Sequence, residues 1–199
     1  MRPIPGDMAA KVMAAAPLFA ERGLDGTPMS DIAEVTGIPR ATLYYYFEGK
    51  EAVFACLCGL VLDRFEEVIS AALSQPGPAA ERLGRVVRAQ LGFCAAHPAA
   101  FLAMHLDLGR AARRAEMSQR MLRCYLRPVA ALLEEGAADG TMRPVASASV
   151  AAAALLGATT TAVEQALLSA DEASVSGLYE PIMSLVLHGL GAPALYADI

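Results

Sequence analysis

Apolar residues recur at helical spacing along nearly the whole chain, and no segment bounded by turn residues alternates apolar and polar positions as a strand does. Segments rich in glycine and proline interrupt the pattern, among them "RGLDGTP", "SQPGP" and "GAADGTMRPV". The pattern predicts an all-α fold of about nine helices. The expected helices cover residues 7–22, 28–36, 39–46, 49–74, 79–96, 99–109, 115–138, 147–169 and 173–190.

The predicted helix over residues 49–74 is long, and its apolar positions form an early and a late group. The early group directly follows three short helices, whereas the late group continues toward the rest of the chain. One helix can therefore belong to two packing units. We predict a domain boundary near residue 50, with residues 1–50 as the first domain and residues 51–199 as the second.

Two of the short helices, joined by a glycine turn, predict a helix-turn-helix. Gly37 lies at the turn, where a left-handed backbone favours glycine, and Pro39 suits the first turn of the next helix. Thr27 before Pro28 is typical of a helix start with a side-chain cap. The spacing predicts a small core made by Ile32, Val35, Ile38, Leu43 and Phe47 and covered by Val12 and Phe19.

With Leu43 and Phe47 turned inward, the outer side of the second helix carries Arg40, Ala41, Thr42, Tyr44 and Tyr45. Arginine can donate two hydrogen bonds to guanine, and threonine offers a hydroxyl and a methyl group to base edges. Tyrosine hydroxyls and the Lys50 ammonium can donate to phosphate oxygens, and helix starts near Thr27 and Lys50 can hold further phosphates. The side chain of Tyr46 is placed either with this outer set or half in the core.

The overall charge does not favour nucleic acid, since the net charge is −5 and the first fifty residues hold five basic against six acidic residues. A DNA-binding face therefore requires local placement of charge. No apolar run predicts a membrane span and the N-terminus lacks a secretion signal, so we expect a cytoplasmic protein. Cys56, Cys58, Cys94 and Cys124 show no metal-ligand spacing and are expected as reduced thiols, redox sensing being the alternative.

The segment "LFAERGLDGTPMSDIAEVTGIPRATLYYYFEGKEAVF" resembles the DNA-binding region of TetR/AcrR-type transcriptional regulators. The resemblance covers about residues 8–57. It implies that Arg40, Ala41, Thr42 and Tyr45 approach bases, and that Thr27, Tyr44, Tyr46 and Lys50 hold phosphates. It further implies a dimeric repressor that a small hydrophobic effector releases from a palindromic operator. Three residues depart from the family's usual pattern: Pro17, Pro39 and Ala41.

The second domain shows no catalytic motif and no metal-ligand spacing, so we expect neither an enzyme nor a cofactor. Its middle helices carry flexible and aromatic side chains, which form either a plain core or, as the resemblance implies, a pocket for the effector. Pro128 is expected to kink the seventh helix. The candidate effector-binding residues are Phe93, Phe101, Met104, His105, Met117, Met121 and Tyr125.

Arginines at positions 113, 120 and 127 repeat every seven residues and so share one helix face. This face is either solvated, a counter-ion for an acidic effector, or a contact to the acidic first domain. The last two helices carry small residues (Ala151, Ala154, Gly157, Ala158 and Thr161) and apolar ones (Val175, Leu178, Ile182, Val186 and Leu190). They pack within one chain or, as in the resembled family, form the dimer with a second copy.

Three other functions stay open on the sequence alone. A DNA-binding activator or a regulator without an effector fits the same N-terminal segment. A helical ligand-binding module without DNA binding fits the acidic charge. An all-α enzyme fits least well.

Overall fold

A computed structural model of the chain describes residues 4–106, 117–169 and 174–188. All regular structure within these residues is helical, as the sequence pattern predicts. The helices are α1 (Gly6–Val12), α2 (Ala16–Arg22), α3 (Met29–Thr36), α4 (Arg40–Tyr46), α5 (Lys50–Ser74), α6 (Ala79–Ala96), α7 (Pro98–Leu106), α8 (Arg127–Ala138), α9 (Ala148–Leu168) and α10 (Tyr179–His188). Short 3₁₀ turns at Met13–Ala15 and Val175–Leu178 precede α2 and α10.

The helix predicted over residues 7–22 is divided where the sequence contains Pro17. A 3₁₀ turn separates α1 from α2, and Pro17 lies in the first turn of α2. Proline is tolerated there because it lacks the N–H that an interior helix position would need.

The helix predicted over residues 115–138 is also irregular, and residues 115 and 116 lie outside the described residues. Residues 117–121 are helical, a π-helical turn follows at Leu122–Leu126, and α8 begins at Arg127 with Pro128 in its first turn. Proline cannot donate the hydrogen bond that a regular α-helix needs at that position, so the ladder changes just before it.

The chain divides into two compact units. Unit 1 comprises Met1–Glu67 and Ala96–Leu122, and unit 2 comprises Val68–Ala95 and Arg123–Ile199. Unit 1 therefore includes the first four helices, the larger part of α5 and all of α7. The predicted domain boundary near residue 50 stays a prediction.

The core of unit 1 lies under the first helices. Phe19 is buried, and its ring meets that of Phe54 edge-on, with the ring centroids 4.9 Å apart. Helix α2 also packs along α7, where Ala100, Phe101, Ala103 and Met104 are buried. Burying several large apolar side chains at about 1.5–3 kcal/mol each is enough to fix these short helices, which would not be stable alone.

Unit 2 has its own core, in which α8 packs against α9. Its buried apolar side chains come from four helices and include Leu83, Val87, Leu91, Val129, Leu132, Leu155, Val163 and Ile182. Gly84 of α6 has no side chain to clash with the Tyr179 hydroxyl, which lies 2.7 Å from the place where a Cβ would be. The ring of Tyr179 also lies 4.0 Å from the Arg88 guanidinium.

Helix α9 is long and apolar enough by composition to cross a membrane. An 18-residue segment of it has a mean hydropathy of 1.3 and is only 22% buried. Interface and core helices meet the same criteria, so one such helix is weak evidence for a membrane span. The observation of interest is an apolar helix that its own chain covers little.

Candidate nucleic-acid interface

The turn between α3 and α4 is fixed by its own backbone and by one hydroxyl. Gly37 adopts φ 64° and ψ 17°, the left-handed conformation that the sequence predicts for it. The Thr36 hydroxyl donates to the carbonyl of Ile32 at 2.6 Å and accepts the N–H of Ile38 at 3.3 Å. These contacts set the direction in which α4 leaves the turn.

Most of the predicted core beneath this turn is present. Val12, Phe19, Ile32, Ile38, Leu43 and Phe47 are buried. Val35 is not, because 42% of its surface is exposed, and its assignment to the core is wrong. Thr36 takes the inner position instead, which is possible because its hydroxyl is satisfied by the Ile32 carbonyl.

Burial of Leu43 determines which face of α4 turns outward. Leu43 is completely buried, whereas Arg40 and Ala41 are exposed and Thr42 is half-buried. Tyr44 and Tyr45 expose 52% and 60% of their surface, so two phenol rings project beside the arginine. We call Arg40, Ala41, Thr42, Tyr44 and Tyr45 the outer face of α4.

Tyr46 lies at the edge of this face. It is half-buried, and its ring meets that of Tyr45 edge-on, with ring centroids 4.9 Å apart and planes at 83°. Edge-to-face packing of this kind holds an exposed ring in place. Tyr46 therefore supports Tyr45.

Thr27 corrects two predictions. The N-cap residue of α3 is Pro28, which makes no side-chain cap, so the prediction of a Thr27 cap is wrong. The Thr27 side chain is completely buried, and its hydroxyl donates to the carbonyl of Gly23 at 2.7 Å. As placed, this hydroxyl is not available to a phosphate, and its role is to close the turn between α2 and α3.

Lys50 joins that same turn to α5. Its ammonium nitrogen donates to the backbone carbonyl of Asp25 at 2.7 Å, and Lys50 is the first residue of α5. An ammonium has three donors, so two remain for phosphate oxygens. At the other side of the turn, the exposed Arg22 and Asp31 form an ion pair at 2.7 Å.

Residues 12–57 match the family model described as "Bacterial regulatory proteins, tetR family". The matched range contains α3, the turn at Gly37, α4 and Lys50. Residues 12–57 are therefore similar to the DNA-binding region of tetR-family regulators. The resemblance found in the sequence is thereby confirmed for this part of the chain.

A curated relative supports the same assignment. The chain is 45% identical over 52 residues to the Staphylococcus aureus protein named "Biofilm operon icaADBC HTH-type negative transcriptional regulator IcaR". The similarity covers 26% of this chain and 28% of IcaR, so the chain spans little more than a quarter of the curated relatives it matches.

Solved structures extend the comparison to the remaining helices. The fatty acid degradation regulator FadR from Bacillus halodurans superposes with a TM-score of 0.82 at 24% identity, over 94% of this chain and 98% of FadR. AibR in complex with isovaleryl coenzyme A and operator DNA gives a TM-score of 0.74 at 20% identity, over 91% of this chain and 98% of AibR. The all-α fold, a tetR-family domain followed by a helical domain, is therefore shared.

The predicted effector residues divide between the units. Phe101, Met104, His105, Met117 and Met121 belong to unit 1, whereas Phe93 and Tyr125 belong to unit 2. In unit 1, the rings of Phe101 and His105 stack at 4.0 Å, and Nδ1 of His105 lies 2.9 Å from the Phe101 carbonyl oxygen. Met117 and Met121 are half-buried.

In unit 2, Tyr125 belongs to a buried series of side-chain hydrogen bonds, which we call the buried polar chain and which the sequence did not indicate. The Tyr125 hydroxyl donates to Oε1 of Gln90 at 2.7 Å, and Nε2 of Gln90 donates to Thr159 at 2.8 Å. The Thr159 hydroxyl donates in turn to the carbonyl of Leu155. Tyr125, Gln90 and Thr159 are all buried, and burial is the main cause that raises the pKa of Tyr125.

Cys94 is a buried thiol in the same unit, and burial raises its pKa to about 12. It is therefore a neutral apolar group near neutral pH. The half-buried Cys56 of unit 1 also has a raised pKa, first through burial and then through the charge of Asp63.

Unit 1 contains a surface pocket with a volume of about 290 Å³. Its walls are formed mainly by small and apolar residues of α1, α2 and the start of α7, with Arg64 and His97 also lining it. None of the predicted effector residues lines it. The volume falls just below the usual range of about 300–1,000 Å³ for ligand pockets, so we do not assign the effector to it.

Of the arginine face, Arg113 lies outside the described residues. Arg120 donates to Asp63 at 2.7 Å and to Glu66 at 3.0 Å, both on α5. Burial lowers the pKa of Arg120, but hydrogen bonds and the charges of Asp63 and Glu66 raise it by more. Arg127 is exposed. In the described parts of the chain, no three His, Cys, Asp or Glu side chains have the arrangement of a metal site.

Proposed function

We propose that the chain is a dimeric transcriptional repressor that binds a palindromic operator and is released from it by a small apolar effector. The observation that carries this proposal is the outer face of α4, an arginine and two exposed phenol rings presented by a tetR-family helix-turn-helix. IcaR is named a negative transcriptional regulator, which favours repression over activation.

The outer face of α4 has the chemistry to read a major groove. Arg40 can donate two hydrogen bonds to guanine, and the methyl and hydroxyl groups of Thr42 suit base edges. Ala41 presents a small methyl group to the groove, and Tyr45 reaches bases from beside it. These residues supply sequence preference.

Contacts to the DNA backbone require hydrogen-bond donors, and these contacts do not depend on the base sequence. The Tyr44 hydroxyl on the outer face of α4 and the two unused donors of Lys50 at the start of α5 fit this role. Two tyrosine hydroxyls, at Tyr44 and Tyr46, partly replace the positive charge that the acidic chain lacks. We exclude the Thr27 hydroxyl from the contact set because it is buried.

Dimerisation through α9 and α10 is supported by what α9 leaves exposed. Val150, Ala154, Gly157, Thr161 and Leu168 are all exposed and follow one another at spacings of four, three, four and seven residues, hence along one stripe of the helix. Small residues allow a second helix to approach closely. A two-fold dimer would place two recognition helices on a palindrome, at multiples of about 34–36 Å.

The final helix contributes differently from what its sequence pattern indicated. Val175 and Ile182 are buried in their own chain, and Leu178 and Val186 are half-buried, while Leu190 lies outside the described residues. Leu185 and Leu187 are the large apolar side chains that α10 exposes. We therefore propose the exposed stripe of α9, with Leu185 and Leu187, as the dimer surface.

The effector class follows from chemistry and from one related structure. AibR is described in complex with isovaleryl coenzyme A. We propose thioesters of coenzyme A as the first effectors to test, their short acyl group being the apolar part, with Phe101, Met104, His105, Met117 and Met121 of unit 1 as candidate contacts.

The deciding experiment is selection of bound duplexes from a random pool, followed by titration of the selected duplex across a range of salt concentrations. We expect a palindromic consensus that binds at least about a thousandfold more tightly than random duplex, with affinity falling as salt rises. A triple variant, Arg40→Ala, Tyr44→Ala and Tyr45→Ala, is the control that keeps the buried Leu43. Equal selection by the variant, or no enrichment by the native chain at low salt, would refute the proposal.

Addition of isovaleryl coenzyme A to the bound complex tests the effector class separately. Release at micromolar concentration, with free coenzyme A and isovalerate as controls, supports it. Unchanged binding with every acyl chain length rejects thioesters as effectors but leaves the DNA-binding proposal standing.

A further inference from the structure

Arg120 makes a two-pronged contact to α5 that no catalytic, metal or DNA-contact assignment explains. One guanidinium nitrogen, Nη2, donates to Oδ1 of Asp63 at 2.7 Å and to Oε2 of Glu66 at 3.0 Å. Asp63 and Glu66 are three residues apart on α5 and therefore share one face of the helix. Only 17% of the Arg120 side chain is exposed.

This contact differs from the other ion pairs of unit 1. Arg22 and Asp31 lie nine residues apart and form a single pair with 46% and 32% of their side chains exposed, so that pair contributes little. Arg120 is 57 and 54 residues from its partners and holds two carboxylates at once, with 17% of its side chain exposed and the carboxylate side chains 61% and 47% exposed. Two charge-assisted hydrogen bonds from one arginine join segments that are distant in sequence, so the contact resists their separation.

The neighbouring charges make the contact specific. The middle of α5 carries Asp63, Glu66 and Glu67, and Arg64 between them makes no ion pair within the described part of the chain. Arg120 is thus the cation that holds the two carboxylates on this face. The exposed Arg123, three residues later, makes no ion pair with any residue that the structure describes.

The contact lies far along α5 from Lys50, so it limits how the DNA-binding end of that helix can tilt. Lys50 begins α5 and holds the Asp25 carbonyl, while Asp63 and Glu66 lie 13 and 16 residues further, about 20–24 Å along the axis. A helix held at both places cannot tilt freely about either one. Residues 117–121, which carry Arg120, run directly into the π-helical turn at Leu122–Leu126, and such turns often mark functional positions in helices.

We infer that Arg120 is a positioning residue for operator binding. By holding Asp63 and Glu66 it fixes the direction of α5, and with it the distance between the two DNA-binding helix-turn-helix segments of the dimer. This inference rests on the proposed function. It does not place Arg120 on the DNA, so it predicts an effect on half-site spacing and none on the number of phosphate contacts.

The first test uses the selected operator in a series whose half-sites are moved apart or together one base pair at a time. We expect Arg120→Gln to weaken the preference for the best spacing by roughly fivefold, the lower end of typical coupling between distant sites. The slope of affinity against salt should stay as in the native protein. Arg123→Gln, which removes a neighbouring exposed charge, should keep the native spacing preference.

A second readout does not depend on DNA. Hydrogen exchange of the α5 amides around Asp63 and of residues 117–121 should quicken at least severalfold in Arg120→Gln and in the double variant Asp63→Asn, Glu66→Gln, but not in Arg123→Gln. The double variant also serves if Arg120→Gln does not fold. Arg120→Lys, which keeps the charge and one donor nitrogen on a side chain of different length and shape, should restore part of the protection.

The two readouts separate the possible failures. If the native protein binds no operator, the proposed function fails. Hydrogen exchange alone then tests whether Arg120 holds Asp63 and Glu66. Native exchange in Arg120→Gln and in the double variant would show that it does not hold them. Quickened exchange with an unchanged spacing preference in Arg120→Gln overturns its positioning role.

Discussion

The ammonium of Lys50 donates a 2.7 Å hydrogen bond to the backbone carbonyl of Asp25. This contact joins the first residue of α5 to the turn that precedes the helix-turn-helix, so a residue expected only to contact DNA also holds the domain together. The buried Thr27 hydroxyl closes the same turn from the other side by donating to Gly23. The two contacts fix the backbone around Asp25 without any apolar packing of the turn's polar residues.

Replacing Lys50 should therefore weaken DNA binding without changing which sequences are bound. In Lys50→Ala, we expect affinity for operator and random duplex to fall by similar factors, and the salt slope to lose about one unit, since one phosphate contact is removed. The measurement is fluorescence anisotropy over a salt series. Arg123→Ala removes an exposed charge from unit 2 and should leave the slope unchanged. An unchanged slope in Lys50→Ala would contradict the phosphate contact.

Replacing Arg40 should change which sequences are bound, whereas replacing Lys50 should weaken binding to all sequences alike. Arg40 lies on the outer face of α4 with no ion pair among the described residues, so Arg40→Ala should not unfold the domain. We expect a loss of about 1–3 kcal/mol at one base position, with other positions of the operator unaffected. Repeated selection from random duplexes measures this directly. A uniform loss across all positions would mean that Arg40 contacts phosphate instead.

The helices of this chain could be predicted from sequence because their ends are local. Glycine and proline set the ends near Gly37, Pro39 and Pro17, and each requires only the backbone of its own neighbourhood. The outer face of α4 followed from the same reasoning, since burial of Leu43 leaves Tyr44 and Tyr45 outside.

The wrong predictions concern contacts that cannot be inferred from the spacing of residues in the sequence. Hydrophobicity predicts Val35 in the core, whereas Thr36 occupies that place because a backbone carbonyl satisfies its hydroxyl. Thr27 was read as a cap because it precedes proline, yet its hydroxyl bonds backward to Gly23. The chain from Tyr125 to Gln90 to Thr159 joins residues 35 and 69 positions apart, and no local pattern indicates such a pairing.

That buried polar chain should be sensitive to loss of a single donor. In Tyr125→Phe, Oε1 of Gln90 loses the hydroxyl that donates to it while remaining buried, and we expect unfolding to become easier by about 1–3 kcal/mol. Urea denaturation measures the change. Tyr45→Phe removes an equivalent hydroxyl from an exposed ring and should shift stability by less than about 0.5 kcal/mol. Equal stability of the two variants would show that Tyr125 is not held by this hydrogen bond.

The buried thiol of Cys94 predicts how stability changes in alkali. Its pKa is raised from 9.0 to about 12, so between those values the unfolded chain has lost the proton that the folded chain keeps. The unfolded state then binds fewer protons, and stability falls as pH rises through this window. Below about pH 9 the thiol is protonated in both states and contributes no dependence on pH.

Cys94→Ala should reduce this alkaline loss. Part of the loss should remain, because the pKa of Tyr125 is raised by the same cause and its titration acts in the same direction. Urea denaturation at pH 8, 10 and 11 would measure the difference. Parallel curves for the native protein and Cys94→Ala would contradict burial of the thiol.

The exposed stripe of α9 predicts what a single charge does to assembly. Ala154 is a small residue within that stripe, and a carboxylate there would be buried without a partner if a second copy packs on it. We expect Ala154→Glu to raise the dissociation constant of the dimer by roughly a hundredfold or more, about 3 kcal/mol, while the monomer stays folded. Sedimentation velocity over a range of concentrations measures this shift.

The matched control is Ala71→Glu, which adds the same charge to an exposed position of α5 in unit 2 and should leave assembly unchanged. Loss of the dimer should also lower operator affinity while leaving binding to an isolated half-site intact, since each helix-turn-helix segment is complete within one chain. If Ala154→Glu sediments as the native protein does, the stripe is not the interface. The low burial of α9 would then require a different partner.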